Sequence, residues 1–121
     1  MVRQTSNLRQ GAIIKLSFTP TKGREQAGYR PAVVISNNYV ISKTEILFVV
    51  PITNSQLKGD FNIVLDERNK TKGAVLCAHA RSIDLGSRSF QFVEQLPHDK
   101  LEDIIEMLAR LVAPSEQGGS K

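Results

Sequence analysis

The 121-residue sequence contains a single cysteine, Cys77, so no disulfide can form within the chain. Long apolar runs are missing too: the longest, residues 46–52, is far too short to span a bilayer. The polar N-terminus lacks the apolar stretch of a secretory signal peptide. These absences argue against a disulfide-stabilised secreted protein and against a membrane protein. They predict a soluble, cytoplasmic protein that does not act at a membrane.

The signatures of several enzyme classes are also missing. Cys77 and the two histidines, His79 and His98, lack the spacing of a zinc site, so neither a metal nor another cofactor is expected. The chain has no glycine-rich phosphate loop and no nucleophile elbow of a serine hydrolase. A serine or cysteine nucleophile with a histidine base is therefore disfavoured.

Positive charge, by contrast, is concentrated at the N-terminal end. Residues 1–30 hold six Lys or Arg and one Glu, a net charge of +5, whereas the whole chain carries +4. Residues 31–90 carry +2 and residues 91–121 carry −3. A basic N-terminal third indicates a polyanionic partner such as nucleic acid. A solvated surface that keeps the protein soluble explains the same charges.

The hydrophobic pattern predicts a mainly β protein with one C-terminal helix. Residues 37–44 read as a connecting turn. Segments with strand character are 11–18, 31–36, 45–52, 60–67, 74–84 and the end of 85–96. Apolar residues at helical spacing predict an amphipathic helix over about 97–113: Leu101, Ile104, Ile105, Leu108, Leu111 and Val112.

This order of elements implies a small, bent antiparallel sheet or partly closed barrel, capped by the helix. The chain length suits a single domain, which we expect over residues 1–114. Residues 115–121 are predicted to form a disordered tail.

The polar loop at residues 19–30, TPTKGREQAGYR, runs directly into the apolar segment 31–36. Arg30 precedes Pro31, so its backbone is biased towards an extended conformation. A rigid strand then holds the backbone while the side chain points to solvent, an arrangement that suits catalytic groups. A surface ion pair between Glu25 and Arg30, worth under about 1 kcal/mol, explains the same residues.

Hydroxyl groups follow the next apolar run, at Thr53 and Ser55. If the two runs pair as an antiparallel hairpin, the start of the first lies beside the end of the second. Arg30 then lies next to Thr53, although 23 residues separate them in sequence. The alternative role for Thr53 is that of a turn-forming hydroxyl.

Several of these segments together resemble the MazF/PemK-type toxins of bacterial toxin–antitoxin pairs. They are RQGAIIKLSFTPTKGREQAGYRPAVVIS (9–36), VVPIT (49–53) and AHARSID (78–84), followed by a terminal helix that ends in ARLV. The resemblance covers roughly residues 9–113. It implies a small SH3-like (PemK/CcdB-like) antiparallel barrel with a C-terminal helix, usually as a homodimer.

The resemblance also implies an activity. It points to a metal-independent, sequence-selective endoribonuclease that cuts single-stranded RNA, often mRNA, and leaves a 2′,3′-cyclic phosphate and a 5′-hydroxyl. A cognate antitoxin would occupy the RNA groove.

Arg30 and Thr53 match the catalytic pair of the family, and Glu25 matches the acid of its signature loop. Arginine is effectively always protonated, so Glu25 is the better general base, acting directly or through water. Some family members place an aspartate and an arginine on the later strand, where this chain has Ala78 and Leu76. That leaves His79 either as a substitute acid or base or as a packed or surface histidine.

The resemblance and the basic N-terminal third together predict an RNA groove. Residues expected to hold phosphates or stack bases are Lys22, Arg24, Gln26, Tyr29, Ser55, Lys58, His79 and Arg81. Two other classes stay open: a CcdB-like toxin that binds DNA gyrase, and a non-catalytic nucleic-acid-binding barrel. RNA cleavage in excess EDTA separates the three, because only the nuclease cuts.

Overall fold

The computed structural model describes residues 8–17, 29–55 and 59–115. Most of the predicted polar loop and of the predicted disordered tail lies outside these ranges. The described residues form strands and helices in the following order. They are β1 (Ala12–Ser17), β2 (Tyr29–Val34), α1 (Asn38–Lys43), β3 (Ile46–Thr53), β4 (Asn62–Val64), β5 (Ala74–Leu76), β6 (Arg81–Asp84), β7 (Phe90–Gln95) and α2 (His98–Leu111).

The strands form one antiparallel sheet in the order β4-β5-β3-β2-β1-β7, with β6 beside β3. On one edge β3 pairs with β2; on the other, Ile46–Val49 pairs with β6 and Ile52–Thr53 pairs with β5. This order does not close on itself within the described residues, so the fold is a barrel-like sheet capped by α2. The prediction of a mainly β protein with a C-terminal helix is confirmed.

The sheet buries apolar side chains on both of its faces, because successive residues of a strand point in opposite directions. Ala12, Ile14 and Leu16 of β1 belong to one buried cluster, and Ile13 belongs to the other. Leu101 and Ile104 of α2 pack into the cluster that contains Ile13. Both faces are thus covered, which explains the unbroken apolar runs in the sequence.

The predicted turn at 37–44 is wrong, since these residues form α1. The side chain of Asn37 accepts a hydrogen bond from the backbone N–H of Val40, 2.9 Å away, and so caps the first turn. The helix is only six residues long and buries none of them, so no apolar stripe announces it in the sequence.

Two other predicted strands are shorter or interrupted. Of the predicted strand 60–67, only Asn62–Val64 pairs as a strand. The β-rich stretch 74–84 divides into β5 and β6 around a single 3₁₀ turn at Cys77–His79. Because of this turn, β6 pairs with a different part of β3 from β5.

The apolar stripe of α2 is only partly buried. Leu101 and Ile104 are buried, and Leu108 and Leu111 pack against them from the edge, whereas Ile105 and Val112 are 38% and 80% exposed. The helix begins and ends close to the predicted residues. Its apolar stripe, however, extends beyond the part of the helix that packs against the core.

An ion-pair network attaches α2 to the turn after β4. The guanidinium of Arg68 donates to the carboxylates of Asp66 and Asp99 at 2.8–3.3 Å. Lys100 donates to the carbonyl of Val64 at 2.8 Å. Hydrogen bonds from the side chain and backbone of Arg68 lower the pKa of Asp66 to about 2. The folded state thus stabilises the charged form of Asp66.

This network predicts a pH-dependent stability. Asp66→Asn should lower Tm at neutral pH, because the charged acceptor for Arg68 is lost. A lowered pKa stabilises the fold above the ordinary pKa of 3.8, and that contribution disappears as the pH falls towards about 2. The Tm difference between wild type and variant should therefore shrink over this interval. Melts across the range, with exposed Asp60→Asn as the matched control, test it; a pH-independent difference contradicts the assignment.

Candidate functional site

The hairpin of β2 and β3 brings Arg30 and Thr53 to the same end of the sheet. The recorded pairs are Ala32 with Pro51, Val33 with Val50 and Val34 with Val49. Two further steps along this antiparallel register place Arg30 level with Thr53. The Arg30 and Thr53 side chains then lie on the same face of the sheet, because residues directly opposite one another on neighbouring strands share a face. The predicted juxtaposition of these two residues is confirmed.

Arg30 and Thr53 line one cavity of about 290 Å³, the strand-end cavity. Six of the described residues line it: Tyr29, Arg30, Pro31, Ile52, Thr53 and Asn54. Arg30 is exposed and Thr53 is half-buried, so a charged donor and a hydroxyl face an open space. None of these six described residues is acidic, and the guanidinium of Arg30 is the one formal charge among them. Such a site favours an anion.

Thr53 is held in place from two directions. Its backbone pairs with Ala74 of β5. Gly73, the residue before Ala74, has a φ of +122°, and a Cβ atom built there would lie only 1.7 Å from the Thr53 carbonyl oxygen. The hydroxyl of Thr53 has a weak contact with the Ser55 hydroxyl, 3.4 Å away, which brings this predicted RNA-binding residue beside the cavity. A side chain at position 73 would push Thr53 out of line.

Tyr29 is 37% exposed at the rim of the strand-end cavity. Its hydroxyl is hydrogen-bonded to the hydroxyl of Ser89, which directly precedes β7. The ring is therefore oriented by a contact outside its own hairpin, and its remaining exposed surface is available to an aromatic ligand.

The other predicted site residues are not brought to this cavity within the described structure. His79 is exposed in the 3₁₀ turn, and Arg81 is exposed at the start of β6, where it pairs with Val49. Val49 precedes Thr53 by four residues, roughly 13 Å along a strand. Lys22, Arg24, Glu25, Gln26 and Lys58 lie outside the described residues. The prediction that these join one groove with Arg30 remains a prediction.

One residue of the cavity, Asn54, was not predicted from the sequence. Asn54 directly follows Thr53, is exposed, and supplies an amide with both donors and acceptors. The sequence signal for Asn54 is its position directly after Thr53 at the end of the same buried strand, because a residue next to a strand-end hydroxyl lies at the rim of the same cavity.

Other chemistries find no support in the described part of the chain. No group of three His, Cys, Asp or Glu residues there is arranged to hold a metal ion. Cys77 is buried, and burial raises the pKa of its thiol to about 11, so it stays protonated at neutral pH. No helix in the described ranges has the length and apolar character needed to cross a membrane.

A larger cavity, of about 490 Å³, lies away from this site between α1 and Leu85. Its lining includes Lys43 and Glu45, whose opposite charges offset one another. The smaller strand-end cavity is the better candidate because no acid lies among its described lining residues and its groups come from two paired strands.

Comparison with known proteins agrees with this fold. Residues 9–112 match the family described as PemK-like, MazF-like toxin of type II toxin–antitoxin systems. The chain is 29% identical to endoribonuclease PemK of Escherichia coli, covering 93% of this chain and 87% of that one. It is 40% identical to endoribonuclease toxin MazF of Escherichia coli K12, covering 60% and 65%. A MazE–MazF crystal structure from Deinococcus radiodurans superposes with a TM-score of 0.77 at 28% identity, covering 88% and 97%.

Proposed function

Because the chain belongs to the PemK-like, MazF-like toxins of type II toxin–antitoxin systems, as its sequence resemblance predicted, we propose that it is a metal-independent endoribonuclease of the cytoplasm. Its substrate is single-stranded RNA, cut at short sequences. The observation that supports this best is the position of Arg30 beside Thr53 in one cavity, whose described lining residues carry a positive charge. Two E. coli relatives are named endoribonucleases.

The proposed reaction is an intramolecular transfer at phosphorus. The ribose 2′-oxygen attacks the adjacent phosphorus while the bond from phosphorus to the 5′-oxygen breaks. The 2′-hydroxyl proton passes to a general base, and the departing 5′-oxygen takes up a proton. The products are a 2′,3′-cyclic phosphate and a 5′-hydroxyl, so atoms and charge balance without a metal or an added water.

The roles of the residues follow from where charge develops. Negative charge builds on the phosphoryl oxygens, to which Arg30 can donate two parallel hydrogen bonds. The Thr53 hydroxyl donates a further bond from the opposite strand. We assign the general base to Glu25, on the basis of the sequence pattern alone, because a guanidinium stays protonated.

The remaining groove residues bind rather than react. Tyr29 offers an aromatic surface to a base beside the scissile phosphate. Asn54 and Ser55 supply neutral donors and acceptors at the same rim. Lys22, Arg24, Gln26, Lys58, His79 and Arg81 are proposed to contact RNA at more distant nucleotides.

The decisive experiment is cleavage of a long single-stranded RNA by the purified protein in excess EDTA. Cleavage at discrete sites, with 2′,3′-cyclic phosphate ends, supports the proposal. A wild-type protein that does not cut RNA but binds it would be a non-catalytic barrel. One that neither cuts nor binds RNA would leave a protein target such as DNA gyrase as the better hypothesis.

Assembly is part of the same proposal. The family description implies an antitoxin, and a structural relative was crystallised as a MazE–MazF complex. We expect a small acidic protein to co-purify with this chain when both are expressed from the native operon, and the toxin alone to sediment as a homodimer. A monomer at micromolar concentration would remove the dimer from the proposal.

A further inference from the structure

Two consecutive residues before β7 hold the strand ends beside the strand-end cavity. The Arg88 side chain donates from Nη1 to the carbonyl of Ser17 at 2.5 Å. The Ser89 hydroxyl is hydrogen-bonded to the hydroxyl of Tyr29. Ser17 is the last residue of β1 and Tyr29 the first of β2, and the two are paired. One dipeptide thus contacts both members of the last pair in the β1–β2 ladder.

The sheet register explains how a single dipeptide reaches both strands. Leu16 of β1 pairs with Phe90 of β7 on one edge and with Arg30 of β2 on the other. Extending this register by one step sets Ser89, Ser17 and Tyr29 in one row across three strands. The ladder of β1 with β7 therefore places Ser89 where the Tyr29 hydroxyl can meet it.

Arg88 carries its charged group into a partly buried position beside these strand ends. Its side chain is partly buried, and its Nε has no hydrogen-bond partner within the described structure. A buried, unsatisfied N–H on a charged group is destabilising and calls for an explanation beyond packing. The hydrogen bond to Ser17 supplies such an explanation, because Ser17 directly follows Leu16, the residue paired with Arg30.

We propose that Arg88 and Ser89 are positioning residues of the nuclease site: together they fix the Ser17–Tyr29 strand end and orient the Tyr29 ring towards the RNA base beside the scissile phosphate. This inference rests on the proposed ribonuclease function. Neither residue touches the substrate. Ser89 acts by fixing the tip of the ring, and Arg88 by fixing the backbone on which Tyr29 and Arg30 are paired.

The kinetic test uses Ser89→Ala, Tyr29→Phe and the double variant on an RNA oligonucleotide with one cleavage site. Each single variant removes one partner of the same hydrogen bond, so each should raise KM about tenfold with little change in kcat. The double variant should be no worse than either single one. The proposal is overturned if the effects of the two substitutions multiply in the double variant. It is also overturned by a fall in kcat at unchanged KM, because that result signals a loss of folded enzyme.

Arg88 is tested by Arg88→Met and Arg88→Lys. The methionine keeps the apolar stem but loses the donor to Ser17, and should raise KM as the Ser89 variant does. Lysine restores a charged donor and should recover most of the loss. Equal defects in the two variants, or none in Arg88→Met, would overturn the role of Arg88. Ser42→Ala is the matched hydroxyl control, since the Ser42 hydroxyl donates to the Tyr39 carbonyl on α1.

A spectroscopic readout separates this inference from the proposed function. The chain has two tyrosines, so Tyr39→Phe leaves Tyr29 as the single one. Fluorotyrosine incorporated into that variant reports the Tyr29 ring by ¹⁹F NMR. Ser89→Ala should shift this signal, whereas Ser42→Ala should not; an unmoved signal overturns the orientation of Tyr29 by Ser89. If the wild type fails to cleave RNA, the proposed function fails and the fluorine signal alone decides whether Ser89 orients the ring.

Discussion

Arg30→Ala should lower kcat/KM for RNA cleavage in EDTA by at least about a hundredfold, or about 2.7 kcal/mol of transition-state stabilisation. The side chain lies in the strand-end cavity beside Thr53, and the described lining residues include no acid that would weaken its attraction for a phosphoryl oxygen. A preorganised donor aimed at developing charge is commonly worth this much.

The fold should survive this substitution. Arg30 is exposed, and its backbone stays in the ladder with Leu16, so we expect a change in stability within about 0.5 kcal/mol. Circular dichroism and a thermal melt check this. Exposed Arg110→Ala on α2 removes the same charge at a residue that does not line the cavity and should cleave like wild type.

Two further variants identify what Arg30 does. Arg30→Lys retains the charge but loses the fork that holds two phosphoryl oxygens, so its activity should fall between those of wild type and alanine. Thr53→Val removes the hydroxyl while it preserves the shape of the strand end. Equal cleavage by wild type and Arg30→Ala would leave the residue as a structural surface charge, and the catalytic assignment would be wrong.

Gly73→Ala should destabilise the protein more than any surface substitution considered above. The residue has a φ of +122°, a conformation that costs an L-amino acid roughly 1–2 kcal/mol. Its new Cβ would also lie 1.7 Å from the Thr53 carbonyl oxygen, so the backbone of β3 must move. Overpacking of this kind costs about 1–3 kcal/mol. We expect a total loss of about 3 kcal/mol and a fall in Tm of about 10 °C.

The same substitution should abolish cleavage by the molecules that still fold, because the carbonyl that moves belongs to Thr53. Gly59→Ala is the matched control: its φ lies outside the left-handed region, and among the described residues the new Cβ would contact the Asn62 side chain alone, at 3.3 Å. A Gly73→Ala protein with wild-type Tm and activity would show that Thr53 tolerates displacement, contrary to the proposed geometry.

The core of the site was predictable from the sequence because it depends on one hairpin. Two β-branched apolar runs of strand length pair most simply as antiparallel neighbours, and this pairing alone brings Arg30 to Thr53. The C-terminal helix was equally visible, since its apolar spacing extends over about three turns. Local patterns of this kind require no knowledge of distant pairing.

The features that escaped prediction depend on long-range register or on a single side chain. α1 begins at the Asn37 cap, and a six-residue helix without buried positions has no periodic signal. The Tyr29–Ser89 contact depends on how β1 pairs with β7, and that ladder shifts register between Ile13 and Ile14. Counting residues along the sequence does not reveal such a bulge. The exposed Ile105 likewise follows from the limited area that α2 covers.

The pairing of β1 with β7 has a consequence for how the molecule comes into being. The contacts from Ser17 to Arg88 and from Tyr29 to Ser89 close chain loops of 71 and 60 residues. Such non-local contacts slow folding into the range of milliseconds to seconds. During synthesis, which proceeds from the N-terminus, β1 and β2 emerge long before β7. One edge of β1 stays unpaired until residues 90–95 have been made, which exposes a growing chain to wrong strand pairing during that interval.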